Sequence, residues 1–153
     1  NLIRERGKEF GTVTGRPRRC GWFDAVAASY AVRLNGLDAF AVTKFDVLSG
    51  LPVVKLAVAY EIDGERTTWF PASASDVARA IPIYEEFPGW SGDLRGVRTI
   101  EGMPREARVL IDRITELCSC PVEIVSVGPD REETVFRPGG LLDRFERPRS
   151  SPR

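Results

Sequence analysis

The sequence contains no histidine in its 153 residues. That absence removes Ser-His-Asp and Cys-His nucleophilic sites and every histidine-ligated metal site. The chain lacks a self-contained general base of the commonest kind, and no catalytic residue or metal ligand is assigned within it. No apolar run approaches the ~20 residues of a membrane-spanning helix, and no signal peptide is visible. No membrane contact is expected, and a cytoplasmic setting is. Neither G-x-x-x-x-G-K-[ST] nor G-x-G-x-x-G occurs, so a bound nucleotide would take its phosphate cradle from elsewhere. Cysteine is scarce: Cys20, Cys118 and Cys120 are odd in number and cannot all pair within one chain. Cys118-Ser119-Cys120 is not the C-x-x-C of redox or zinc-ribbon motifs. Free thiols, buried or half-buried, are the expectation, with a three-thiolate metal site as the alternative.

An excess of one charge is missing too, since 22 Lys and Arg balance 22 Asp and Glu. The balance hides a pattern. Residues 1–20 carry a local +4, residues 137–153 a local +3, and the middle is acidic. A nucleic-acid binder usually shows a basic excess over its whole domain, so no nucleic-acid partner is expected. Local positive charge suits a small anion better than a polymer. The hydrophobic share of 42% and charged share of 29% are those of a folded globular chain.

The pattern along the chain is mixed α/β. Leu2–Gly7 reads as the last turn of a helix, with Gly7 just past its end. The earlier turns of that helix are expected upstream, so the chain reads as a fragment. Residues 24–35 form a helix capped by Asp24 and ended by Gly36, with Val26, Ala27, Tyr30, Ala31 and Leu34 expected inward. Strands are expected at 39–43, 53–61, 122–127 and 134–136, the first three in a sheet whose centre lies upstream and which leaves a bare edge. Asp63-Gly64 signals a hairpin turn. Ser73 starts a short helix, residues 81–102 read as irregular because of their prolines and glycines, and Pro104 opens a helix over 104–118. The domain spans 1–136, and 137–153 is expected to be a frayed tail.

Three segments carry candidate chemistry. In Thr12-Val13-Thr14-Gly15-Arg16-Pro17-Arg18, Gly15 frees the backbone, the threonines offer hydroxyls, and Arg16 and Arg18 offer planar forks for carboxylate or phosphate. The Arg-Pro-Arg alternation sends the two guanidiniums to different sides, enough to hold two anions. The same loop also reads as a solvated basic turn. Lys44-Phe45-Asp46, taken as extended, places Lys44 and Asp46 on one side, where a carboxylate could accept from a guanine edge. A surface ion pair is the other reading. Ser126-Val127-Gly128, leading into Pro129-Asp130-Arg131, either offers backbone groups to a ligand or is an ordinary Gly-Pro turn. The 44–50 and 126–131 loops both leave the ends of apolar strands, the edge where open α/β sheets bind ligands. Trp22, Trp69 and Trp90 read as packing residues.

Together these segments resemble adenylosuccinate synthetase. The likeness runs in order over about residues 7–136, through Gly11-Thr-Val-Thr-Gly-Arg-Pro-Arg-Arg-Cys-Gly-Trp-Phe-Asp24, Leu34-Asn35, Thr43-Lys-Phe-Asp-Val-Leu-Ser-Gly50, Val58-Ala-Tyr60, Tyr84-Glu85, Pro88-Gly-Trp-Ser91 and Ser126-Val-Gly-Pro-Asp-Arg131. The resemblance implies the C-terminal part of a P-loop-NTPase-like fold, a mixed sheet with flanking helices. It implies ligation of IMP to L-aspartate driven by GTP, through a 6-phosphoryl-IMP intermediate, with Mg²⁺ required and a homodimer as the usual assembly. By position, residues 12–18 match the family's aspartate loop, with Arg16 also reaching IMP and Arg18 reaching GTP. Lys44, Phe45 and Asp46 match the guanine-recognition segment, and Ser126, Val127 and Gly128 match the opposite wall. The family's glycine loop, catalytic Asp and catalytic His have no counterpart in this chain, so the fragment alone is expected to be inactive. Val13 stands where the family usually has Thr, which removes a hydroxyl contact to aspartate. Phe45 stands where Leu is usual. The alternative is a non-catalytic remnant or nucleotide-binding module that keeps the scaffold.

Overall fold

The computed structural model describes residues 2–141. In chain order the elements are α1 (Leu2–Arg6), β1 (Phe23–Asp24), α2 (Ala25–Asn35), β2 (Phe40–Val42), a 3₁₀ turn (Phe45–Leu48), β3 (Val53–Ile62), β4 (Glu65–Thr67), α3 (Ala74–Arg79), β5 (Ile81–Pro88), α4 (Arg105–Cys118), β6 (Val122–Ser126) and β7 (Thr134–Phe136). The α/β class is as expected.

The local signals act as their chemistry requires. Asp24 caps α2 by accepting the Ala27 N–H at 3.0 Å, and Gly36 ends that helix at φ 61°. The same Asp24 carboxylate accepts the Tyr60 hydroxyl across to β3. Burial first, and then that carboxylate, hold the Tyr60 phenol well above the ordinary range. Ser73 caps α3 through the Asp76 N–H, and Asp63 and Gly64 both adopt positive φ at the hairpin turn.

Among the described residues the strands form two mixed sheets, with no pairing that joins 39–43 and 122–127 to 53–61. In the first, β5 runs antiparallel along nearly the whole length of β3, while parallel β1 and antiparallel β4 share its other edge. In the second, β2 lies parallel to β6, and β6 pairs antiparallel with β7. β3 therefore never pairs with β2 or β6. Helix α4 packs against both sheets. Its Ala107, Leu110, Ile111, Ile114 and Cys118 share one buried cluster with Val54 and Leu56 of β3 and with Val122 and Val125 of β6. Fully burying each large apolar side chain stabilises the fold by about 1.5–3 kcal/mol.

Other expectations need correction. β5 was read as irregular because Pro82 and Pro88 lie in it. Proline is tolerated in an edge strand, and among the described residues β5 pairs only with β3. On α2, Val26 is buried as expected and Ala25, Ala28 and Val32 also meet the core, whereas Leu34 is 66% exposed and Tyr30 stacks on Phe70 at 4.9 Å. Trp90 is a core residue and Trp22 packs against the core, but Trp69 is exposed under the Arg33 guanidinium. Cys118 and Cys120 are buried free thiols, Cys118 pushed up to about 11 by its burial, while Cys20 is exposed. Of the C-terminal segment, the Arg137 N–H reaches the Glu123 carbonyl at 2.8 Å and the Leu141 N–H reaches the Glu123 carboxylate at 2.8 Å. Residues 142–153 lie outside the described residues.

Candidate functional site

The second sheet decides where the candidate segments meet. β2 and β6 are parallel, with Val42 opposite Val125. Both strands therefore release their next residues from the same edge: Thr43 and Lys44 from β2, Ser126 and Val127 from β6. The 3₁₀ turn that follows Lys44 packs against β6. Two segments more than eighty residues apart thus become neighbours at the carboxyl ends of parallel strands, where α/β sheets bind ligands.

Lys44 itself is not extended. Its φ is 58°, and residues 45–48 turn as a 3₁₀ helix, so the premise of an extended Lys-Phe-Asp segment is corrected. The left-handed turn sends the Lys44 ammonium back toward the chain start. There it donates to the Gly7 carbonyl at 2.7 Å and to the Glu9 carboxylate. Glu9 also accepts Arg18 Nη1 at 2.8 Å through its other oxygen. Hydrogen bonds from Lys44 and then Arg18 hold the Glu9 carboxyl below its usual range. One carboxylate thus joins two of the candidate cations.

The 11–17 segment forms a flap standing on this triad. Phe10 and Pro17 make an antiparallel bridge at its base, and the Arg18 N–H reaches the Glu9 carbonyl at 3.0 Å. The tip closes through Gly11 N–H to the Arg16 carbonyl and Gly15 N–H to the Gly11 carbonyl, both 2.8 Å. Gly15 sits at φ 64°, a conformation that disfavours any side chain. Thr12, Val13, Thr14 and Arg16 are all exposed, Val13 at 96%. Among the described residues the Arg16 guanidinium makes no hydrogen bond or ion pair. The Arg-Pro-Arg alternation has separated the guanidiniums: Arg18 is pinned to Glu9 and Arg16 is open to solvent.

The remaining candidates are arranged unequally. Phe45 is 2% exposed and stacks on Trp90 at 5.1 Å, and Val127 is fully buried, so both can offer a ligand only backbone. The half-buried Asp46 carboxylate accepts no hydrogen bond among the described residues. Ser126 Oγ donates to the Gly128 carbonyl at 2.9 Å. The Glu133 carboxylate lies directly on Gly128, where an added Cβ would meet it at 2.1 Å, and it also accepts the Asp130 N–H at 3.0 Å. A cavity of about 390 Å³ is lined by Glu9, Arg18 and Lys44 together with apolar Phe45, Leu56 and Ile114. Arg16, Asp46 and Ser126 are not part of its lining. Sequence reasoning missed Glu9 and Glu133. Neither lies in a motif; Glu9 meets Lys44 across 35 residues, and only tertiary structure reveals that pairing.

Comparison with known proteins decides the family. The sequence model described as adenylosuccinate synthetase matches residues 1–135. The chain belongs to the adenylosuccinate synthetase family. It is 54% identical over 135 residues to the adenylosuccinate synthetase of Heliobacterium modesticaldum, covering 88% of this chain and 32% of that protein. It is 52% identical over 145 residues to that of Desulforudis audaxviator, covering 95% of this chain and 33% of that protein. The fully ligated adenylosuccinate synthetase of Plasmodium falciparum superposes with a TM-score of 0.83 at 34% identity, over 88% of this chain and 33% of that structure. The chain thus spans about a third of the length of the curated relatives it matches. No helix among the described residues is long and apolar enough to cross a membrane.

Proposed function

We propose that this chain supplies the aspartate-binding flap and the guanine-recognition edge of an adenylosuccinate synthetase. The reaction joins IMP and L-aspartate at the expense of GTP. The IMP O6 takes the γ-phosphoryl group and GDP leaves; the aspartate amine then displaces phosphate to give adenylosuccinate. The setting is cytoplasmic and the assembly a homodimer. The observation that carries the reading is the shared edge of β2 and β6, which brings the Lys44–Asp46 and Ser126–Gly128 segments together, with Arg18 tied to Lys44 through Glu9.

Each residue then has a task its geometry allows. In the flap, the Thr12 and Thr14 side chains are exposed, where a dicarboxylic amino acid can reach them, while the Gly15 N–H is held by the Gly11 carbonyl. Arg16 has its whole guanidinium available for a substrate carboxylate and for IMP. Arg18 keeps Nε and Nη2 for GTP while Nη1 is held by Glu9. Asp46, whose carboxylate accepts no hydrogen bond among the described residues, can accept the N1–H and 2-amino group that distinguish guanine from adenine. Ser126 and the backbone at Val127 and Gly128 form the opposite wall. No group of three or more cysteine, aspartate or glutamate side chains among the described residues could cage a metal ion. By this reading the ligands of the family's Mg²⁺ lie outside this chain, so none of the tasks given to its residues involves the metal.

The test is made on the product of the whole reading frame. Adenylosuccinate should form only when IMP, L-aspartate and GTP are all present, and the 153-residue chain alone should form none. Failure of the whole product to form adenylosuccinate would establish a non-catalytic scaffold instead.

A further inference from the structure

Glu9 belongs to no motif of the sequence and has no assigned role, yet it is the only residue that touches both the flap and the guanine edge through one charged group among the described residues. Its two oxygens are divided between them: Oε2 accepts Arg18 Nη1 at 2.8 Å, and Oε1 accepts the Lys44 ammonium. The rest of the geometry fixes both cations around it. The Arg18 N–H is held by the Glu9 carbonyl at 3.0 Å, and the Arg18 carbonyl accepts Arg4 Nε at 2.6 Å. Lys44 is turned toward Glu9 by its left-handed backbone and steadied by the Gly7 carbonyl at 2.7 Å.

We propose that Glu9 is a positioning residue that couples the aspartate flap to the nucleotide edge. This inference rests on the functional reading above. Glu9 leaves donors free on both cations: Nε and Nη2 of Arg18, and one N–H of Lys44. The triad keeps a net charge of +1, so it still attracts an anionic nucleotide while its cations stay a fixed distance apart. An anion drawn to Arg18 therefore pulls on Lys44, and a base seated against Lys44 steadies the base of the flap. Carboxylate is required because it accepts from two cations at once. A carboxamide has one accepting oxygen and an amino group that donates, so it cannot accept at both of the positions where Arg18 and Lys44 now bind.

The experiment uses the product of the whole reading frame, with Glu9→Gln, Lys44→Met and the double variant. In Glu9→Gln, KM should rise roughly three- to tenfold for both GTP and L-aspartate with kcat within about twofold. The two single changes should be non-additive in KM for GTP, because each breaks the same link. Tryptic cleavage after Arg18, mapped by mass spectrometry, should be faster in Glu9→Gln than in the parent. A change in only one of the two KM values, strict additivity, or unchanged cleavage overturns the coupling. If Lys44→Met itself leaves KM for GTP unchanged, the guanine-edge reading fails first. If Lys44→Met raises KM and Glu9→Gln does not, only the coupling fails. Matching unfolding midpoints keep a folding defect from imitating either result.

Discussion

The flap at 11–17 and the junction where residues 44–51 meet 88–90 adjoin through Lys44, yet they are built in opposite ways. The flap is closed by its own backbone, with its threonines and Arg16 turned to solvent. The junction is closed by packing. Phe45 stacks on Trp90, Trp90 Nε1 donates to Ser49 Oγ at 3.0 Å, the Gly50 N–H reaches the Trp90 carbonyl at 2.7 Å, and the Gly89 N–H reaches the Pro52 carbonyl at 3.0 Å. Side chains in the junction are consumed by the fold, and side chains in the flap are kept back from it. Substitutions should therefore read out as stability in one region and as ligand use in the other.

The sharpest way to break this contrast is Gly89→Ala. An added Cβ would lie 1.6 Å from the Leu51 carbonyl oxygen and 2.7 Å from its carbon, so backbone must move. The expected loss exceeds about 3 kcal/mol in denaturant unfolding, with the soluble yield falling accordingly. A near-parental midpoint would show that the junction yields easily. Arg16→Ala should do the reverse. In the product of the whole reading frame, kcat/KM for L-aspartate should fall roughly a hundredfold, with weaker IMP use, while the unfolding midpoint stays in place. Asp46→Asn stands between the regions, half-buried beside buried Phe45. It should raise KM for GTP about tenfold, leave KM for IMP within about twofold, and lower the preference for GTP over inosine triphosphate. An unchanged preference would remove Asp46 from guanine recognition. The smallest effect belongs to Val13→Thr. At 96% exposure it should leave stability within about 0.5 kcal/mol, and its restored hydroxyl should lower KM for L-aspartate about threefold.

What could be read from sequence divides along the same line. Signals that act within a few residues were legible: the Asp24 and Ser73 caps, the Asp63-Gly64 turn, the proline opening of α4, and the exposed Gly-rich loop with its two guanidiniums. What depends on distant partners was not. β5 was hidden because its prolines argue against a strand when its neighbour is unknown. That one helix, α4, buries residues against both β3 and β6 is a tertiary fact that no local pattern reports. Leu34 was misplaced because a helical face can be drawn through Tyr30 and Leu34, whereas contact with α4 and β3 selects Ala28 and Val32. At the candidate site, Lys44 and Asp46 were singled out by residue type, but the left-handed turn that aims Lys44 at Glu9 was not. That turn separates a list of candidates from an arrangement.

The prolines of β5 have a consequence beyond their place in the sheet. Among the described residues β5 pairs on one side alone, and a strand with an open side is a template on which a second chain can lie down, the way folded proteins begin to form fibres. Pro82 and Pro88 each take a backbone donor out of that template, near its two ends, and Glu85 and Glu86 put charge between them. A strand from another molecule would find a broken ladder there. The residues that disguise β5 in the sequence thus also make it a poor seed for aggregation.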